Sequence, residues 1–313
     1  MSDTYAVENK KTKSKSRRKI ILWCWIFITP NLLFYAAFQG WPIIMNIYNS
    51  MMDWSGLGDA TFIGLQNFKE LMSDSNFWKA YGNTFVFMAG SVPPLMILSL
   101  IAALIVNNPK LKFATAYRTV IFIPVVTTAS IIGIIMIFIW GTDGAINAAL
   151  SNIPFVESTI NWLGRSKWAM FAVIVVFVWK NLGMNMIYWL AALQGVPRQL
   201  LEAAEIDGAG TFKKFFYVTL PQILPIGAVI TLVNISSTLR AFDLIKTMTN
   251  GGPSFSTDVI STYIYRFAFS SEMGLPRLGY ASAAATLFAL TIAVVAIITA
   301  LARKSGAKQG ESK

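Results

Sequence analysis

Four windows of this chain, residues 20–38, 85–106, 119–140 and 280–301, contain no charged side chain. A helix rises about 1.5 Å per residue, so about 20 such residues cross the roughly 30 Å hydrocarbon core of a bilayer. Two further windows reach that length with charged exceptions: 168–193 encloses Lys180, and 222–245 encloses Arg240 and Asp243. Six transmembrane helices follow, and with them an all-α polytopic membrane protein. Pro30, Pro93, Pro94, Pro124 and Pro225 fall inside the windows, which membrane helices tolerate where neighbouring helices re-satisfy the freed backbone groups.

Only 13% of the residues are charged, against about 25% in soluble domains. The net charge of +11 taken alone fits nucleic acid, anionic lipid or membrane orientation, and its distribution decides. Seventeen Lys and Arg lie in the N-terminal tail, 107–118, 194–221 and the C-terminal tail, against seven in the alternate segments. The positive-inside rule therefore predicts that both termini and the 194–221 loop are cytoplasmic, in a multi-pass protein of the cell membrane. Topology and lipid headgroups absorb the surplus charge, and no nucleic-acid partner is expected.

Three regions result: a basic cytoplasmic tail over 1–19, a membrane domain over 20–302 carrying the 194–221 loop, and a cytoplasmic tail over 303–313. The first tail has too few apolar residues to fold alone and is expected to be disordered. A basic tail before an apolar run also resembles a secretory signal, but the run here is about 19 residues, longer than the usual 7 to 15 or so. It reads as a retained first helix. The segments 41–84, 141–167 and 246–279 fall outside, and their aromatics Trp41, Trp54, Phe68, Trp78 and Trp162 suit either interfacial anchors or a surface for an external protein.

There is no histidine, and the one cysteine, Cys24, sits in the first apolar run. Ser-His-Asp and Cys-His machinery, imidazole metal sites and an intrachain disulfide are excluded. Cys24 is expected as a small buried hydrophobe. No catalytic residue and no metal ligand is predicted.

The loop 194–221 is patterned, not merely polar. Pro197 suits a first helical turn, an amphipathic run through Leu200, Leu201, Ala203, Ala204 and Ile206 follows, and Asp207-Gly208 signals a turn. A second run over 211–220 places Phe212, Phe215, Phe216 and Leu220 on one face before Pro221. Two short helices on the inner membrane surface are expected. The two alanines leave a flat face for docking, Gly208 permits the turn, and Glu202 can pair with a guanidinium on a partner.

Glu202-Ala203-Ala204, Gly208, Val218 and Leu220-Pro221, at these spacings, resemble the EAA loop of permease subunits in binding-protein-dependent ATP-binding-cassette importers. Val218 replaces the family's usual isoleucine. FIGLQNF over 62–68, the arginine and proline of YRTVIFIP, Trp179-Lys180, LQGVP and TNGGP over 249–253 extend the likeness to the carbohydrate branch, which includes the maltose, multiple-sugar and glycerol-phosphate importers. The resemblance implies a MetI-like fold and a chain that translocates a carbohydrate without catalysing a reaction. It also implies a second, unlike permease, two ATPase subunits that hold the ATP and magnesium, and an extracytoplasmic solute-binding protein. Glu202, Ala203, Ala204, Asp207, Gly208, Leu220 and Pro221 would form the ATPase-coupling element. This chain has no G-x-x-x-x-G-K-[ST] loop and no cofactor of its own.

Polar groups inside spans are costly unless they face a cavity or a partner helix, so they mark a candidate path. Asn234 and Thr238 share a face of the fifth window, with Ser237 beside it; they suit either ligand contact, as similar positions do in the maltose-type subunit, or interhelical hydrogen bonds. Lys180, Asn181, Asn185 and Tyr188 lie on adjoining turns of the fourth window, and Thr128 and Ser130 follow Pro124 in the third. Lys180 is read as lining the path or as a structural anchor. Arg240 and Asp243, three apart, are expected to pair locally. The competing function is an ion-coupled secondary transporter of a polar solute, which usually carries several midmembrane carboxylates or histidines. Asp243 alone argues against it, and no pair of groups supports an intramembrane hydrolase.

Overall fold

The computed structural model describes residues 2–151, 159–270 and 274–310, with side chains over 19–151, 159–270 and 274–297. Residues 311–313 of the C-terminal tail, and the side chains of the basic residues at 10–18 and 303–308, lie outside the described set. Helix α1 covers Ser2–Tyr35, and a π turn over Ala36–Gly40 leads into α2, Trp41–Asn49. The tail expected to be disordered is thus helical from Ser2. Lys, Arg and Glu are good helix formers, and extending a helix from an apolar segment costs far less than nucleating one.

A two-stranded antiparallel hairpin follows, β1 (Met52–Asp53) with β2 (Thr61–Phe62), pairing Met52 with Phe62. Then come α3 (Gln66–Ser73) and α4 (Ser75–Val106), the latter capped by Asp74, whose Oδ1 accepts from the Asn76 amide at 2.8 Å. The chain continues through α5 (Ala114–Val126), α6 (Ala129–Ile139), α7 (Ala145–Leu150), α8 (Ser166–Gln194), α9 (Arg198–Ile206) and α10 (Thr211–Lys214). A second π turn, Phe215–Thr219, precedes α11 (Leu220–Leu239), α12 (Asp243–Met248), α13 (Ile260–Phe269) and α14 (Leu278–Gly310).

Both π turns have one cause. Trp41 and Leu220 donate to carbonyls five residues back, Ala36 and Phe215, and the next residues are Pro42 and Pro221. A proline ring collides with the carbonyl four residues before it, and one extra residue in the turn moves that carbonyl aside.

Among the described residues, five helical segments are long and apolar enough to cross a membrane, and six if the α5–α6 pair is one span. The third window is not straight: α5 and α6 meet at 99°. Thr127 and Thr128 are extended there, and Thr128 Oγ1 accepts from the Ile131 amide to start α6. The turned helix packs on α12 so closely that a Cβ on Gly133 would lie 1.9 Å from Thr247 Oγ1. The fifth window also breaks, because α11 ends at Leu239 and α12 begins at Asp243. Consequently Arg240 does not pair with Asp243; its Nε donates to the Ser236 carbonyl at 3.1 Å.

Lipid offers no hydrophobic drive between helices, so close packing has to hold them. A Cβ at Gly90 would lie 2.6 Å from Ile174 Cδ1, and at Gly183 2.5 Å from the Ile121 carbonyl oxygen, which marks where α4 and α5 press on α8. Three clusters result. One joins α4, α6, α8 and α12 around Phe87, Val173, Phe177 and Ile245; the second joins α4, α8 and α11 around Met186, Trp189 and Ile223; the third joins α3, α4, α13 and α14 around Phe77 and Tyr263. The span over 19–49 belongs to none of them, and no residue of its apolar window is buried. Cys24, expected as buried, is exposed for that reason.

One end of the bundle carries the β-hairpin, the other the segment 195–219. At the hairpin end Trp162 is buried, not an interfacial anchor, and its Nε1 donates to Asn147 Oδ1 at 2.9 Å.

Candidate coupling loop and solute path

Val196 is buried beside Leu193 and Ile223, and from it Pro197, extended, launches α9. Proline immediately precedes the helix, one position earlier than its expected place in the first turn. Leu201 packs back against the second cluster, while Glu202, Ala203, Ile206, Asp207 and Gly208 are exposed and Ala204 is half-buried. The helix closes with reciprocal bonds: the Gly208 amide donates to the Glu205 carbonyl at 3.0 Å and the Ala209 amide to the Ala204 carbonyl at 2.9 Å. This is the Schellman ending, which needs a left-handed residue, and Gly208 has φ +75°. No atom lies within 4 Å of the Cβ that Gly208 lacks, so within this chain the glycine supplies conformation and not clearance.

The second expected surface helix is instead the start of the fifth span: the helical path runs unbroken from Thr211 to Leu239. Phe215 and Leu220 are half-buried, whereas Phe212 and Phe216 are exposed, and the π turn falls between Phe212 and Leu220. Val218 is half-buried and Pro221 exposed. Across the Gly208 turn, Lys214 Nζ forms an ion pair with the Glu205 carboxylate, which it holds below the usual carboxylate range. Glu202 makes no such pair among the described residues.

In the spans the structure sorts the expected path residues into two groups. Asn234 and Thr238 are inside the chain, 5% and 1% exposed. Asn234 Nδ2 donates to Asn185 Oδ1 at 2.6 Å and to the Ile230 carbonyl at 2.9 Å, and Thr238 Oγ1 donates to the Asn234 carbonyl at 3.0 Å. Asn185 in turn donates to the Asn181 carbonyl at 3.0 Å, and Asn181 to the Phe177 carbonyl at 2.8 Å. The bond from Asn234 to Asn185 ties α11 to α8, and the others run within one helix. Ser237 and Thr128 are exposed, and Lys180, Asn181, Tyr188 and Ser130 are half-buried. Lys180 has no hydrogen-bond or ion-pair partner among the described residues.

Sequence reasoning missed the polar supports of the hairpin end. Asp74 accepts from Tyr280 at 3.0 Å and from Tyr263 at 2.5 Å, which, with burial, pushes the Tyr263 phenol up. Arg277 forks onto Glu70 with two 2.6 Å bonds and holds that carboxyl below its ordinary value. Arg266 reaches Asp258 at 2.7 Å with both side chains buried; burial pushes Asp258 up, against the lowering by Thr262 and Arg266. Gly251, in the TNGGP segment, has φ +81°, and its missing Cβ would sit 2.8 Å from Asp258 Oδ1. The closeness of this loop to the pair is why the glycine is there. Only the glycine pair itself was a visible signal.

Comparison with known proteins places this geometry. The lactose transport system permease protein LacF of Rhizobium radiobacter is 33% identical over 276 residues, covering 88% of this chain and 91% of that protein. The multiple sugar-binding transport system permease protein MsmF of Streptococcus mutans is 32% identical over 286 residues, covering 90% and 96%. In fold, the chain matches a solved bacterial ABC transporter involved in the import of the acidic polysaccharide alginate, with a TM-score of 0.79 at 24% identity over 94% of this chain and 99% of that one. The model of the binding-protein-dependent transport system inner membrane component matches residues 95–305. With that match spanning more than half its length, the chain belongs to the family of inner membrane components of binding-protein-dependent transport systems.

Proposed function

We propose that the chain is one of two unlike permeases in an ATP-driven importer that moves a carbohydrate into the cytoplasm. Two separate ATPase subunits bind ATP and magnesium, and an extracytoplasmic solute-binding protein delivers the sugar. The observation that carries the reading is α9: a short helix anchored behind by Leu201, with Glu202, Ala203 and Ile206 exposed in front and a left-handed Gly208 closing it. A flat face with one carboxylate suits a cleft on a partner that offers a guanidinium. Closing of the ATPase pair would draw α9 along and reorient the spans. The excess of basic residues at the termini and the 107–118 and 194–221 segments supports a cytoplasmic α9.

For the solute, Ser237, Lys180, Asn181, Tyr188, Thr128 and Ser130 are the expected path groups left exposed or half-exposed, and these supply the hydroxyl, amide, amine and aromatic contacts that a sugar needs. The sugar-transport relatives support that class. The test is uptake of labelled lactose and maltooligosaccharides into proteoliposomes holding the whole complex. Vanadate-sensitive uptake that requires the ATPase subunits supports the importer; uptake abolished by a protonophore at constant ATP refutes it in favour of an ion-coupled carrier.

A further inference from the structure

Helix α9 is attached to the bundle along one edge. Leu201 and Glu205 stand four residues apart and share a face. Leu201 rests on the second cluster, on which Leu220 also packs, and Glu205 is bound by Lys214 across the Gly208 turn. Lys214 closes α10, whose backbone runs without interruption through the π turn into α11. Glu202, Ala203 and Ile206, on the remaining faces, are exposed.

A single apolar contact at Leu201 leaves α9 free to pivot about that point, and the glycine turn offers little resistance. A second contact about one helical pitch away removes the pivot. We propose that Glu205 and Lys214 are positioning residues that hold α9 at a set angle to α11, so that a displacement applied to the exposed face of α9 reaches α11 and is not dissipated in the turn. This deepens, and rests on, the coupling reading of α9. The pair is partly exposed, at 22% for Lys214 and 62% for Glu205, so its contribution to folding is small and its removal leaves an assembled protein. Its effect lies in the angle.

The experiment uses the complete complex in nanodiscs, with the external binding protein added and a spin label on Ser236→Cys in a Cys24→Ser background. Ser236 is exposed near the far end of α11. The readout is the change in label mobility driven by ATP and vanadate. Lys214→Glu is expected to cut that change about fivefold while the ATPase subunits still copurify, with Glu205→Gln intermediate. The exchange Glu205→Lys with Lys214→Glu is expected to restore it. An unchanged amplitude in Lys214→Glu, or an exchange that restores nothing, overturns the proposal. Glu202→Ala and Gly208→Val run in parallel. If both leave copurification and the label response intact, the coupling reading itself falls; if they abolish the response and Lys214→Glu does not, only the positioning role falls.

Discussion

Changing Gly208 to alanine adds a methyl group where no atom of this chain lies within 4 Å. Any penalty inside the chain is therefore conformational. At φ +75° an L-residue crowds its own carbonyl, at a cost of about 1–2 kcal/mol. A 1 kcal/mol bias shifts the equilibrium between the native turn and its alternatives about fivefold toward the alternatives, and the Schellman bonds that end α9 weaken with it. Asparagine tolerates the left-handed region and costs less; valine, branched at Cβ, costs more. The expected order for ATP-driven uptake in the reconstituted complex is Gly, Asn, Ala, Val, with aspartate separating charge from shape by comparison with asparagine. Copurification of the ATPase subunits should follow the same order. Should asparagine fail as completely as valine, the conformational argument is wrong and the glycine is required for close approach of a partner.

Other perturbations read different parts of the structure. Asn234→Ala removes the donor to a buried Asn185 oxygen, and an unpaired buried group costs about 1–3 kcal/mol; the melting temperature in detergent should fall, and the double change Asn185→Leu with Asn234→Leu should recover much of it. Asp258→Ala strands the buried Arg266, expected to cost about 3–5 kcal/mol, read as loss of the chemical-denaturation midpoint. Acid stability should report Glu70. Its carboxyl is held below the ordinary 4.5 mainly by the hydrogen bonds from Arg277, so the ionised form contributes stability above that pH that fades as pH falls through the lowered value. Glu70→Gln should flatten this part of the acid melting profile. For Asp258 the sign reverses: burial raises its pKa from 3.8, so the shift favours the fold below that pH and the benefit is lost as pH rises through the raised value; Asp258→Asn should remove it.

The spans and α9 were legible because each depends on local sequence: charge-free length for the spans, and Pro197 with Asp207-Gly208 for the ends of the short helix. The 99° bend between α5 and α6 was not, because hydropathy is blind to direction and two threonines are neutral in it. The turned helix is seated by the fit of Gly133 against Thr247, more than a hundred residues apart. The same holds for Asn185 and Asn234: each reads as a polar residue in a span, and only folding makes them satisfy one another. Arg240 and Asp243 misled for the opposite reason, since their spacing predicts a pair only if the helix continues through both, and it stops at Leu239. The Glu205–Lys214 contact becomes readable only once the Gly208 turn is known to fold the second run back.

The π turn at Phe215–Thr219 gives the junction between α9 and the fifth span one residue of angular slack. An α-helical residue advances the screw by about 100°; the wide turn takes up the share of its surplus residue, so excising that residue would close the turn to an α-helical one with the flanking phase nearly kept, and would bring a carbonyl back against the Pro221 ring. Pro221 keeps the surplus residue in place. The width of the turn that joins the loop to the span is thus set by one proline ring at the start of α11.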